Sequence, residues 1–411
     1  MTKKYIGLER RENMKKKIDK FGKIAFVFIF VFIITNYFIK MLFFGEDVLN
    51  EAGNRRAVRR PIFSMESFEN KSYQNVLERS LKDQIFLAST YQRKAQKFHN
   101  DALSVVLKPF RKKDDYNLVA NDMYVFGNSD YLLYKRSDEY PTKNQLINVK
   151  KLSDQYEKVK VKNKYLYLVN SDSSIAFNHI DNAIFDEVNK HFPSFKKSYL
   201  KIDSYDTFKK YFYHNDHHWN YKGSYKGYTD ILKMMSTKKE ELKPLVPTEE
   251  ITFPNISFYG SKNFTRGIRL YDEKLTVYNF DYPKYDVTVN DLDKNRIMHG
   301  YGEFRYYLAN RNIKKNKVMY GNYYGWDFAE ITFDFHKPNK QNLLIIGESD
   351  TNAINLLLAC HFNKTHVIDL RHYPNFDINK YIKDHNIDSL LLVFNPITFE
   401  SHDAFIEKEA K

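Results

Sequence analysis

The sequence predicts an α/β fold, a parallel sheet flanked by helices, held outside a bilayer by one N-terminal transmembrane helix. Three features carry that prediction. Residues 343–394 alternate unbroken apolar runs with helical stretches, the pattern of strands covered on both faces. Ile24 through Phe44 form one mostly apolar segment, about the length needed to cross a membrane as a helix. The 411-residue chain is 43% hydrophobic with a single cysteine, so its stability must come from a core and not from disulfides.

Residues 1–23 read as a cytoplasmic basic tail. Lys3, Lys4, Arg10, Arg11, Lys15, Lys16, Lys17 and Lys20 crowd ahead of the apolar segment 24–44, and that density puts the N-terminus in the cytoplasm and the bulk of the chain outside. Arg55, Arg56, Arg59 and Arg60 beyond the segment pull weakly the other way. A cleavable signal peptide fits less well, because the apolar run exceeds a typical h-region and no clean small-residue cleavage site follows. Lys40 lies near one end, where its stem reaches the headgroups.

Residues 45–110 read as a polar tether and a helical segment. The tether ends near Pro61, and from Ser67 to about Leu107 apolar residues recur at helical spacing, as in Val76, Leu77, Leu81 and Ile85. Residues 111–411 form the extracytoplasmic domain. Met123–Phe126, Tyr131–Tyr134 and Tyr165–Val169 read as strands, and residues 178–192 as a helix. Residues 245–340, rich in Tyr, Asn and Asp, read as an irregular β-rich insert. Then come strand Leu343–Gly347, helix Thr351–His361, strand His366–Leu370, helix Ile378–His385 and strand Ser389–Phe394. Ligands on such sheets bind beyond the carboxyl ends of the strands, where Gly347, Glu348, Ser349 and Asp350 fall. Cys360, in the run Leu356–Ala359, reads as a buried structural thiol.

Aromatic residues make up 16% of the chain, which serves either core filling or carbohydrate-facing platforms. The formal charge of +14 invites a nucleic-acid reading. Its densest part is the membrane-flanking tail, and no nucleic-acid motif is present. A basic exterior also attracts anionic polymers.

Two constellations bear chemistry. Ser349 projects from a strand–turn–helix, where the helix start offers free N–H groups to an oxyanion and Gly347 permits close approach. On this pattern alone Ser349 equally caps a helix. The second is His214-Asn215-Asp216-His217-His218-Trp219. Serine chemistry needs a histidine base held by a carboxylate. Asp216 and His218, two apart, reach each other only through a turn. Trp219 would wall the site and exclude water. A metal held by His214, His217 and His218, and plain surface histidines, remain open readings.

Asp216-His217-His218-Trp219 is identical to the motif that names the DHHW family. That family resembles the SGNH-fold alginate O-acetylation proteins, which carry Asp-x-His-Trp first and Gly-Asp-Ser or a variant much later. Gly347-Glu348-Ser349 matches the second element. The order reverses that of ordinary SGNH esterases. Weaker likenesses are Asn54-Arg55, Asp83-Gln84, Phe258-Tyr259-Gly260-Ser261 and Asp369-Leu370-Arg371. The resemblance implies an SGNH-hydrolase-like sheet over residues 45–400. It implies Ser349 as nucleophile, His218 as general base and acid, and Asp216 as its orienter, with His217, Trp219, Gly347 and Arg371 as further site candidates. Glu348 departs from the commoner Asp, a change in turn packing more than in chemistry. Arg371 equally suits a structural ion pair. The implied function is O-acyl transfer, with acetyl the expected group, onto a cell-surface polysaccharide. No cofactor or metal is expected, and a multi-pass membrane acyltransferase is the expected partner. A polysaccharide or lipid esterase and a noncatalytic scaffold of an acylation or export complex are the alternatives.

Overall fold

The computed structural model describes residues 23–32, 35, 49–50, 55–56, 64–69, 71–84, 86–120, 122–238, 241–292, 296–299 and 317–400. It divides into two compact units, residues 1–97 and 98–411. In the first unit, residues 23–32 are helical with their apolar side chains exposed. Most of the expected span beyond them, and most of the tether, lies outside the described residues. No described helix is long and apolar enough to cross a membrane. Helices Met65–Glu69, Ser72–Gln84 and Phe86–Leu107 occupy the stretch where amphipathic periodicity predicts helix.

The second unit is built on an eight-stranded sheet, whose strands are β1 Asn163–Leu168, β2 Lys196–Tyr199, β3 Asp286–Asp291, β4 Arg296–His299, β5 Glu330–Asp334, β6 Leu343–Gly347, β7 Lys364–Ile368 and β8 Ser389–Phe394. Their order across the sheet is β4-β3-β5-β7-β6-β8-β1-β2. The five from β7 to β2 are parallel, and the junctions β4–β3, β3–β5 and β5–β7 are antiparallel.

Strands β6 and β8 are almost wholly apolar because each face meets a separate core. Leu343, Ile345, Leu391 and Val393 point into one core with Trp219, Tyr228, Ile231 and Leu232. Leu344, Ile346, Leu390, Leu392 and Phe394 point into the other, against Val149, Leu152, Val188 and Ile382. Helices Lys143–Tyr156, Ala183–His191 and Ile378–Asp384 cover the second face, and helix Tyr221–Met235 covers the first. Local chemistry sets their starts. Thr142 and Gln145 form a capping box, and Asn220 accepts from the N–H groups of Lys222 and Gly223.

Strand β6 ends at the place where chain direction across the sheet reverses. From β6 the chain moves to β7 on one side and then crosses to β8 on the other. A crevice opens at such a point.

Three sequence expectations change. Among the described residues of 245–340, read as an irregular β-rich insert, β3, β4 and β5 are regular strands that extend the main sheet as an antiparallel edge. Their alternating burial, as in Glu330–Asp334, is the signature of strands covered on one face. Within the same stretch Glu249–Phe258 pairs with Lys274–Asn279 and Lys317–Val318 in a smaller sheet. The helix expected over Thr351–His361 is two short pieces, a 3₁₀ turn Ser349–Ala353 and an α-helix Asn355–Ala359. Tyr131–Tyr134 contributes an isolated bridge, Leu133 to Tyr124, in place of a strand.

Candidate active site

Ser349 opens the 3₁₀ turn that follows β6. Thr351 closes that turn on the Glu348 carbonyl, through its N–H (2.9 Å) and its hydroxyl (2.8 Å). Gly347 is required by packing: a Cβ there would lie 2.3 Å from Thr351 Cγ2 and 3.0 Å from the Val393 carbonyl. The first N–H groups of a helical turn, Ser349 included, have no carbonyl partner within it.

The second half of the site comes from residues 214–219. Asp216 folds the chain into an Asx-turn, its Oδ1 accepting both the backbone N–H of His218 (3.0 Å) and the ring Nδ1–H (2.6 Å). One oxygen thus fixes the local backbone and the imidazole together. Oδ2 accepts the backbone N–H of Ser261 at 2.7 Å. Gly260 allows that approach, since a Cβ there would sit 2.2 Å from the Asn215 carbonyl. On the other side of the ring, His218 Nε2 lies 2.8 Å from Ser349 Oγ. Asp216 and His218 are buried, and Ser349 is half-buried. With Nδ1 bound to a carboxylate, the neutral ring carries its proton there and turns an acceptor nitrogen toward the serine.

Electrostatics follow from this packing. Burial opposes charge on His218, but Asp216 overrides it and holds the imidazole pKa above its ordinary value. Burial also works against the Asp216 carboxylate, and the charge and hydrogen bonds of His218 outweigh it, so Asp216 titrates well below the usual carboxylate range. Burial pushes Glu348 up to about 7 despite Arg371, and its Oε1 accepts from Thr398 at 2.8 Å. Burial likewise raises Asp350.

The other sequence candidates fall in distinct places. His217 is partly exposed, its ring 3.8 Å from that of His218 and its Nδ1 2.7 Å from Ser261 Oγ. Trp219 does not wall the cleft. It is fully buried, and its indole N–H donates to the Asp350 carbonyl at 3.0 Å, tying the histidine segment to the serine turn. Gly227 leaves room for its ring, since a Cβ would lie 2.3 Å from Cζ3. Arg371 reaches Asp369 and Asp327 (2.6 and 2.9 Å) as a structural ion pair. His214 stands apart from His217 and His218, its Nδ1 3.1 Å from Glu273. The three-histidine metal set therefore does not assemble. Among the described residues two groupings do place ligand atoms together: Asp216, His217 and His218, where both Asp216 oxygens already accept N–H donors, and Asp327, Asp369 and His372, where Arg371 already pairs with both carboxylates.

Two contributors were missed as functional residues. Tyr320 stacks on His218 with ring centres 3.7 Å apart and 4° between planes. Ser261 steadies both Asp216 and His217. Nothing local in the sequence marks Tyr320, whereas Gly260-Ser261 shows only as a weak family likeness.

No protein-family model matches the chain, and no curated protein matches it. Solved structures do. Bacillus cereus PatB1 with a sulfonyl adduct superposes with a TM-score of 0.55 at 21% identity, covering 70% of this chain and 99% of that one. A DHHW family protein from Eubacterium siraeum gives 0.52 at 16% identity, covering 70% and 95%. The O-acetyltransferase domain of Pseudomonas putida AlgJ gives 0.35 at 9% identity, covering 70% and 92%. The chain shares its fold with the first two.

Proposed function

We propose that this chain is a membrane-anchored extracytoplasmic O-acyltransferase, acting through Ser349, His218 and Asp216 on a cell-surface polysaccharide. The observation that carries the reading is the hydrogen-bonded line from Asp216 through His218 to Ser349, 2.6 and 2.8 Å, at the switch point of a parallel sheet.

The steps balance on these atoms. His218 Nε2 takes the Ser349 hydroxyl proton as Oγ attacks the acyl carbonyl carbon. Negative charge gathers on the carbonyl oxygen, which the Ser349 N–H faces as donor. Collapse expels the donor's leaving group, which takes the proton from His218 and leaves an acyl-serine. An acceptor hydroxyl then loses its proton to His218 and attacks the ester. The sugar ester departs, and the proton returns to Ser349. Asp216 holds the ring in one tautomer and stabilises its charged form at each stage. A relative of the same fold bears a sulfonyl adduct, which fits a nucleophilic residue in this architecture. The lysine-rich N-terminus and the apolar run after it support the anchor and the outward orientation. A multi-pass membrane acyltransferase is the proposed source of acyl groups.

A strain carrying Ser349→Ala should lose surface-polymer acyl esters as fully as a deletion strain. Acylation that persists in Ser349→Ala but fails in the deletion makes the chain a scaffold. Purified protein given an acyl donor and oligosaccharide should release acylated sugar, and free acid alone would make it an esterase.

A further inference from the structure

Beside the serine turn lies an aromatic cleft that the acyl chemistry leaves unused. Its enclosed volume is only about 50 Å³, well short of the roughly 300–1,000 Å³ of closed small-molecule sites, so it is a shallow groove open to solvent, along which a ligand would lie. Five partly exposed tyrosines frame it: Tyr221, Tyr225, Tyr278, Tyr282 and Tyr323. Tyr278 stands edge-on to Tyr221 and Tyr225, with ring centres 4.8 and 5.6 Å apart. Tyr221 donates its hydroxyl to Glu250 at 2.7 Å, so a carboxylate stands at the rim. The floor is apolar, made by Ala353 and Leu357.

Two routes join this cleft to the reacting groups. Ala353 ends the turn that Ser349 begins, a rise of about 8 Å for four residues of 3₁₀ geometry. Tyr324, also in the lining, lies 4.7 Å from Tyr320, which stacks on His218. The groove thus shares its lining with the turn that carries Ser349 and with the ring pair that backs His218.

We infer that the tyrosine cleft is a subsite for a sugar ring of the acceptor chain, next to the ring whose hydroxyl is acylated; this rests on the acyltransferase reading above. The chemistry matches the ligand class. Sugar rings offer C–H faces to aromatic planes and hydroxyls to phenol and carboxylate groups, and half-exposed tyrosines provide an apolar body with a polar tip. An acyl chain would have no use for the rim hydroxyls and Glu250. Holding a neighbouring ring also favours transfer over hydrolysis, because it brings the acceptor hydroxyl to the acyl-serine ahead of water.

The test uses the full-length protein in detergent with cellohexaose, maltohexaose and a hexamer of N-acetylglucosamine as probes. Binding is read by titration calorimetry, and p-nitrophenyl acetate hydrolysis is followed in parallel. At least one hexamer should bind. Tyr278→Ala and Tyr323→Ala should each weaken it by about tenfold and leave basal hydrolysis within about twofold, while Tyr323→Phe retains binding. Where an alanine variant fails to fold, Glu250→Gln should still weaken binding through the rim. Absence of hexamer binding to the wild type, or unchanged affinity in the folded variants, overturns the subsite. Altered preference for p-nitrophenyl octanoate over acetate in those variants, with sugar affinity intact, assigns the cleft to the acyl chain and also overturns it. Binding needs no catalysis, so wild-type protein that binds a hexamer but neither acylates it nor hydrolyses the ester refutes the acyltransferase reading and leaves the groove as a sugar-binding site.

Discussion

Two histidines of one six-residue segment, His214 and His218, each meet a buried carboxylate, and they end in different chemistry. His214 Nδ1 lies 3.1 Å from Glu273, its backbone N–H contacts both Glu273 oxygens, and its Nε2 faces Asp130 at 3.6 Å. Tyr131 and Tyr271 stack on the ring at 3.7 and 4.2 Å. Both nitrogens are thus committed to acids. His218 gives one nitrogen to Asp216 and the other to a half-buried hydroxyl. A histidine–carboxylate pair becomes a base only when its far nitrogen faces a proton worth taking. The first pair pins the fold, and the second is free to work.

The comparison breaks most sharply at the serine. Ser349→Ala or His218→Ala should cut acyl transfer by about 10⁴-fold or more with the melting temperature little changed for Ser349→Ala. Asp216→Asn should cost about 10²–10⁴-fold in kcat, because the amide no longer enforces the tautomer. As the proposed base, His218 would work only when neutral, and its pKa is raised, so activity should fall as pH drops through a midpoint above about 6.5. Asp216→Asn should move that midpoint down, measured in a kcat/KM pH profile.

At the other pair the effect should be on stability alone. His214→Gln should leave kcat/KM within about twofold and cost about 1–3 kcal/mol in denaturant unfolding, since buried Glu273 loses the imidazole and keeps only the backbone N–H of residue 214. The smallest effect is expected at Trp219→Phe, which removes one hydrogen bond to the Asp350 carbonyl. It should cost about 1 kcal/mol and lower kcat more than it changes KM.

The same contrast explains what could be read beforehand. Strands β6 and β8 were legible because burial on both faces leaves them unbroken apolar runs. The antiparallel edge hid among Tyr, Asn and Asp, because half its residues face away from the core. Asp216, His218 and Ser349 were legible as types and order, and their meeting required the Asx-turn that the motif builds. The tether of Trp219 to Asp350 joins positions 131 apart, and the stack of Tyr320 on His218 is also remote in sequence. Neither leaves a local pattern. His214 looked equivalent to its neighbours until Glu273 was placed beside it.

The central claim is that Ser349 itself carries the acyl group. Brief exposure of the purified protein to p-nitrophenyl acetate, acid quench and peptide mass spectrometry measure this directly. One added acetyl group on the peptide containing Ser349, absent in His218→Ala, is the predicted result. Acetyl on a different residue, or equal labelling of Ser349 without His218, would contradict it.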